Sequence, residues 1–147
     1  MVLKGTRTEE LLRAAFASEA QVNRRYLYFA QQADIEGHPE IAADSAPDMT
    51  AEAETGHAFG HLEFLEEVGD PATGQPIGTT RLNLEAAFAD EQNDARSRYP
   101  EMARIAREEG FNDIADWFES LARVEDAHAA RMERALASFG TVSEPVE

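Results

Sequence analysis

Ala14-Ala15-Phe16-Ala17-Ser18-Glu19 and Ala86-Ala87-Phe88-Ala89-Asp90-Glu91 are nearly the same hexapeptide, repeated at an offset of 72 (Glu19 to Glu91). Reading outward, Tyr26 answers Tyr99, Glu36-Gly37 answers Glu109-Gly110, and Ile41-Ala42 answers Ile114-Ala115, each at 73. Glu54 and His57 answer Glu125 and His128 at 71. The offset falls by two between Ile41 and Glu54, where Pro47 stands, which places a two-residue insertion in the first copy there. The alternative is chance likeness between Ala- and Glu-rich helices. Coincidence of Gly, Tyr, Phe and His as well favours duplication, with two copies related by a pseudo-twofold axis.

Each copy reads as a helical hairpin. Leu11, Leu12, Ala15, Phe16, Val22, Tyr26, Phe29, Ala30 and Ala33 recur at helical spacing, so a first helix is expected from Thr8 to Glu36. Thr6 and Glu9 have capping-box spacing at its start, and Gly37 stops it. A second helix is expected from Pro39 to Val68, restarted or kinked near Pro47, since proline lacks the N–H of a helix interior. Residues 69–78 are rich in Gly and Pro and form the linker. A third helix is expected from Thr80 to Glu109, kinked at Pro100, and a fourth from an Asn112 cap to Ser138. Trp117 and Phe118 are expected in the core. Short loops within each pair make antiparallel hairpins, and the linker can run the length of a bundle. The expected fold is therefore all-α, a four-helix bundle of two antiparallel hairpins joined by a long crossover. It is one domain over residues 1–140, with residues 141–147 an unstructured tail.

The 147 residues carry a formal net charge of −16, from 13 Lys and Arg against 29 Asp and Glu. That balance argues against nucleic acid and against an anionic membrane surface as partners. No run of 18 apolar residues spans a membrane. With no cysteine, thiolate zinc sites, iron–sulfur clusters and disulfides are excluded. The first residues show no apolar leader segment, so a cytoplasmic location is expected. Most of the acidity is solvated surface, including Glu9, Glu10, Glu66, Glu67, Glu108 and Glu109.

Some carboxylates stand elsewhere. Glu19 lies among Phe16, Val22 and Tyr26, and Glu91 beside Phe88 and Ala95, on or near the buried stripe. An inward carboxylate requires a compensating charge. Each copy adds a Glu-x-x-His pair, Glu54/His57 and Glu125/His128, whose spacing puts both side chains on one helix face. Two lone glutamates and two Glu-x-x-His pairs are the donor set of a dimetal carboxylate centre in a bundle core. Four glutamates offset two divalent ions, and oxygen with imidazole donors suits iron or manganese, with zinc not excluded. Glu52 keeps no such spacing to His57. His61 is expected beyond the ligands or partly exposed, and His38 in a loop.

Ala53-Glu54-Thr55-Gly56-His57-Ala58, Tyr99-Pro100-Glu101 and Ala106-Arg107-Glu108-Glu109-Gly110-Phe111 resemble the rubrerythrin family over residues 8–139. That ferritin-like family holds two iron ions and reduces hydrogen peroxide. The resemblance implies that Glu19, Glu54, Glu91, Glu125 and His128 are constant iron ligands and that His57 ligates in the reduced state. It implies that Asp94, where the family has a glutamate, exchanges with His57 on oxidation, through a side chain one methylene shorter. Tyr26 and Tyr99 match tyrosines that hydrogen-bond ligand carboxylates. Typical members end in a four-cysteine rubredoxin domain. This sequence resembles the shorter erythrin or sulerythrin form, so a separate, rubredoxin-like electron donor is implied. A homodimer is expected, and linker length with repeat symmetry permits exchange of hairpins between its chains. The competing readings are a ferroxidase that handles iron and a metal-free structural bundle.

Overall fold

The computed structural model describes residues 2–39 and 51–139, the side chains of 51–54 excepted. The helices are α1 (Arg7–Ile35), α2 (Ala51–Leu65), α3 (Thr80–Asn93), α4 (Tyr99–Glu108) and α5 (Asn112–Phe139), with a π-helical segment, Asp94–Arg98, joining α3 to α4. Counting α3, the π segment and α4 as one helix leaves four, and no strand occurs among the described residues. The chain divides into two compact units, Met1–Pro71 and Ala72–Glu147. Pro39 is helical, as expected for the start of the second helix, whereas residues 40–50, with the expected insertion at Pro47, and the tail from Gly140 lie outside the described residues.

The first unit is the hairpin of α1 and α2. Thr6 caps α1 by accepting the Glu9 N–H at 3.2 Å. The Glu9 carboxylate in turn accepts the N–H of Gly5, one residue before the expected reciprocal partner, at 2.7 Å. At the far end Gly37 adopts φ +85°, and His38 N–H turns back to the Ala33 carbonyl at 2.9 Å. That left-handed residue closes the helix, a conformation glycine reaches without a Cβ penalty. The two helices run antiparallel. Asn23 Nδ2 donates to Thr55 Oγ1 at 3.1 Å, and Leu3 N–H donates to the Glu67 carboxylate at 3.1 Å. The α2 helix ends at Leu65, short of Val68. Both Val68 N–H and Gly69 N–H fold back onto the Leu65 carbonyl at 2.9 Å, and Gly69 turns to φ +110°. Leu65 is fully buried.

The second unit pairs α3, the π segment and α4 against α5. Its seam is made of small residues: Ala86, Ala103, Ala106, Ala115 and Ala129 are buried. Alanine at the contact lets helix backbones approach closely. Gly110, at φ +87°, repeats the Gly37 closure, with Phe111 N–H returning to the Ala106 carbonyl at 2.8 Å. Asn112 is the first residue of α5 rather than its cap, and the Phe111 carbonyl accepts the Ala115 N–H at 2.9 Å. Arg107 fastens this end by pairing with Asp116 at 2.9 Å and Glu119 at 2.6 Å. Phe118 is half-buried against Tyr99, with ring centroids 6.1 Å apart, whereas Trp117 stands 60% exposed, outside the seam.

The kink expected at Pro100 takes the form of the π segment just before it. Tyr99 N–H reaches back five residues to the Asp94 carbonyl. Pro100 has no N–H to offer the ladder, so the register change leaves no donor stranded there. The repeat explains the rest. Glu19 and Tyr26 are seven apart on regular α1, whereas Glu91 and Tyr99 are eight apart. The π segment absorbs the extra residue and returns Glu91 and Tyr99 to the relative facing of their counterparts.

Candidate metal centre

In the second hairpin α3 supplies Glu91, and α5 supplies Glu125 and His128 one turn apart. One donor atom from each of the three lies within 4.8 Å of the others. His128 Nδ1 is 2.7 Å from Glu125 Oε2 and 3.5 Å from Glu91 Oε2. The three side chains are partly screened from solvent, Glu125 most of all at 15% exposed. The i, i+3 spacing on α5 brings glutamate and histidine to one face, as the sequence predicts.

Electrostatics at this cluster are those of crowded acids. Burial pushes the Glu91 carboxyl above the ordinary glutamate range, and a hydrogen bond with Glu125 and its charge push it the same way. The crowding of these two carboxylates marks where a cation would sit. A divalent ion there would offset both carboxylates, while His128 adds a nitrogen donor. The donor set therefore suits a cation that takes oxygen and nitrogen ligands.

Asp94 is the first residue of the π segment, three beyond Glu91, and stands outside the three-donor cluster. Burial raises its carboxyl above the ordinary range, Asp90 and Glu125 add to the rise, and Arg98 opposes it. Arg98 Nε lies 2.8 Å from Asp94 Oδ1, yet no N–H is aligned on that buried oxygen, which accepts no hydrogen bond. The contact is an ion pair without a directed bond. Tyr99 is half-buried beside these acids. Burial, with the negative charges of Asp94, Glu125 and Glu91, holds the phenol proton more tightly than usual.

In the first hairpin, His57 Nδ1 on α2 is 4.0 Å from Glu19 Oε2 on α1. These are the counterparts of His128 and Glu91. The Glu54 side chain lies outside the described residues. Tyr26 is half-buried with its ring 6.4 Å from that of Phe29. His61 is half-buried, and His38 is an exposed loop residue. Sequence reading brings out the ligand-type residues but passes over Asp90 and Arg98. Two signals point to them: the i, i+4 spacing of Asp94 and Arg98, and the step from 72 to 73 in the repeat offset between Glu91 and Tyr99.

No helix among the described residues is long and apolar enough to cross a membrane. The sequence model of the family described as rubrerythrin matches residues 10–76 and 83–147. A rubrerythrin of Porphyromonas gingivalis is 40% identical over 151 residues, covering 99% of this chain and 74% of that protein. A rubrerythrin of Nitratidesulfovibrio vulgaris is 41% identical over 133 residues, covering 88% and 69% respectively. Rubrerythrin-1 of Clostridium acetobutylicum is 35% identical over 137 residues, again covering 88% and 69%.

Proposed function

The chain belongs to the rubrerythrin family of ferritin-like, di-iron oxidoreductases, and from that premise we propose that it reduces hydrogen peroxide to water. The observation that carries the reading is the convergence of Glu91, Glu125 and His128, the second copy of a repeated donor set. The first copy, Glu19, Glu54 and His57, supplies the complementary donors. Asp94 is the additional carboxylate, the residue that would exchange with His57 if the bound ions changed charge.

Peroxide reduction requires two electrons and two protons for each pair of waters formed. A pair of ferrous ions, when bound, supplies the electrons and offsets the charge that develops on oxygen. The chain's own part is to hold the ions and govern the protons. Glu91 and Glu125 would offer their crowded carboxylates to an entering cation. His128 is oriented by its contact with Glu125, which fixes the imidazole face presented to the donor cluster. Tyr99, kept protonated by its surroundings, serves as a hydrogen-bond donor to the neighbouring carboxylates, and Tyr26 has the same role in the first copy. A separate, rubredoxin-like protein returns the electrons, and the working form is a homodimer.

Single-turnover kinetics test this reading. The protein is reduced anaerobically with two equivalents of ferrous iron and mixed with peroxide or with air-saturated buffer. Oxidation by peroxide, one equivalent per iron pair, is expected to be the faster. Faster oxidation by dioxygen would sink the assignment and turn the reading to ferroxidase chemistry.

A further inference from the structure

Arg98 occupies a position no ligand-based reading assigns. It ends the π segment and is shared by two carboxylates: Nε lies 2.8 Å from Asp94 Oδ1, and an Nη donates to Asp90 Oδ1 at 2.9 Å. Asp90 and Arg98 are eight residues apart, a spacing that a regular α-helix would splay around its axis. Because the π turn absorbs one residue, they stand as residues seven apart would, on one face. The same turn that accommodates the inserted residue thus builds the Asp90–Arg98–Asp94 bridge beside Glu91.

The two contacts differ in kind. The bond to Asp90 is directed and lies toward solvent, since the Asp90 side chain is 37% exposed. The Asp94 side chain is only 15% exposed, and its Oδ1 has the guanidinium close by without an aligned N–H. Charge, more than hydrogen-bond geometry, keeps Asp94 there. An acceptor in that condition is poised to leave for a stronger cation. Glu91, with the donors of a metal site, is one helical turn away.

We propose that Arg98 is a positioning residue that draws the Asp94 carboxylate out of the metal donor set, competing with the bound cation for it, with Asp90 anchoring the guanidinium. The inference rests on the dimetal reading above and adds its regulation: the strength of the Arg98 contact sets how readily Asp94 becomes a ligand. Removing the guanidinium frees Asp94 to ligate. Arg98 is 43% exposed, so its pairing is screened and the expected gain in metal affinity is about three- to tenfold.

Cobalt(II) titration of the metal-free, full-length chain tests this without turnover, reading affinity from equilibrium binding and coordination number from visible absorption. The dimetal reading expects two cobalt ions per wild-type chain. R98Q is expected to bind about three- to tenfold more tightly, with weaker visible bands as an oxygen ligand is added. R98K, which keeps the charge, should lie close to wild type. D94N and D94N/R98Q should be indistinguishable. Unchanged affinity and spectrum in R98Q, or a shift that persists in the D94N background, would overturn the role of Arg98 while leaving the metal site standing. A wild-type chain that takes up no cobalt would overturn both.

Discussion

Replacing Glu125 with glutamine should move the stability of the metal-free and metal-loaded protein in opposite directions. Glutamine keeps the shape and an amide oxygen that can still accept from His128 Nδ1, 2.7 Å away in the wild type. What it loses is charge. In the metal-free protein, that charge faces Glu91 with donor atoms within 4.8 Å. Two full charges at that distance repel by roughly 3.5 kcal/mol at an effective dielectric of 20. The Glu91 and Glu125 side chains are 26% and 15% exposed, so solvent reaches the pair. Solvent screening of these part-exposed side chains reduces the relief to about 1 kcal/mol. For a protein of this size E125Q should therefore melt about 2–4 °C above wild type in chelator. With metal the sign reverses. A ligand present at 100 times its dissociation constant stabilises the fold by about 2.7 kcal/mol, and a hundredfold loss of affinity removes about 2.3 kcal/mol of it. The loaded variant should gain roughly 5–9 °C less from metal than the wild type does. Calorimetric melts of both proteins, with and without ferrous or cobalt ions, read the two signs. Destabilisation of E125Q in chelator, or an equal metal-dependent shift in both proteins, would refute the reasoning.

The crowding at Glu91 also makes stability depend on pH. Its carboxyl is raised above the ordinary range by burial and by Glu125, so the folded, metal-free protein binds more protons than the unfolded chain across that interval. Its contribution is present below the ordinary glutamate value and is lost as pH rises through the raised one. The melting-temperature difference between wild type and E91Q in chelator should fall with rising pH there; a difference that grows would contradict the assignment. Gly110→Ala places a side chain at φ +87° with no neighbour within 4 Å of its Cβ, so only backbone strain is added. The expected cost is about 1 kcal/mol, read by denaturant unfolding, and no loss would show that the closure after α4 is not held in the left-handed region.

Helix positions and ligand-type residues are legible in this sequence for one physical reason. Apolar spacing, capping residues and Glu-x-x-His spacing are local properties, written within one or two helical turns. Thr6, Gly37 and Gly110 do at the helix ends what their residue types dictate. The end of α2 at Leu65 is less legible, because Val68 continues the apolar pattern while Gly69 pulls two N–H groups back onto one carbonyl. Asn112 looks like a cap by type, yet the turn through Gly110 delivers Phe111 to that place. The π segment escapes any reading by composition, since Asp94-Ala95-Arg96-Ser97-Arg98 contains nothing that forbids a regular helix. Comparison of the halves could have found it, because only an extra residue changes the offset between Glu91 and Tyr99.

That extra residue also separates what the duplication keeps from what it does not. Glu19 and Glu91, and His57 and His128, are matched, so each half carries the same donor types. Counting back from Glu91, the first-copy counterparts of Asp90 and Asp94 are Ser18 and Val22, neither of which carries a charge. The first copy, regular through α1, therefore has no carboxylate at the Asp94 position and no guanidinium bridge around one. On the proposed reading, a centre built only from the matched donors would treat its two ions alike. The unmatched bridge lies on one half alone, where a half-buried carboxylate is held by charge without an aligned hydrogen bond. On the proposed reading, a ligand that moves when the metal charge changes must be one whose present partner is weak enough to yield. Among the described carboxylates near the cluster, Glu125 is bonded to His128 and Glu91 is in hydrogen-bond contact with Glu125. Asp94 alone combines proximity to the cluster with a cationic competitor, which places the asymmetry of the chemistry in the π turn and its Arg98 contact.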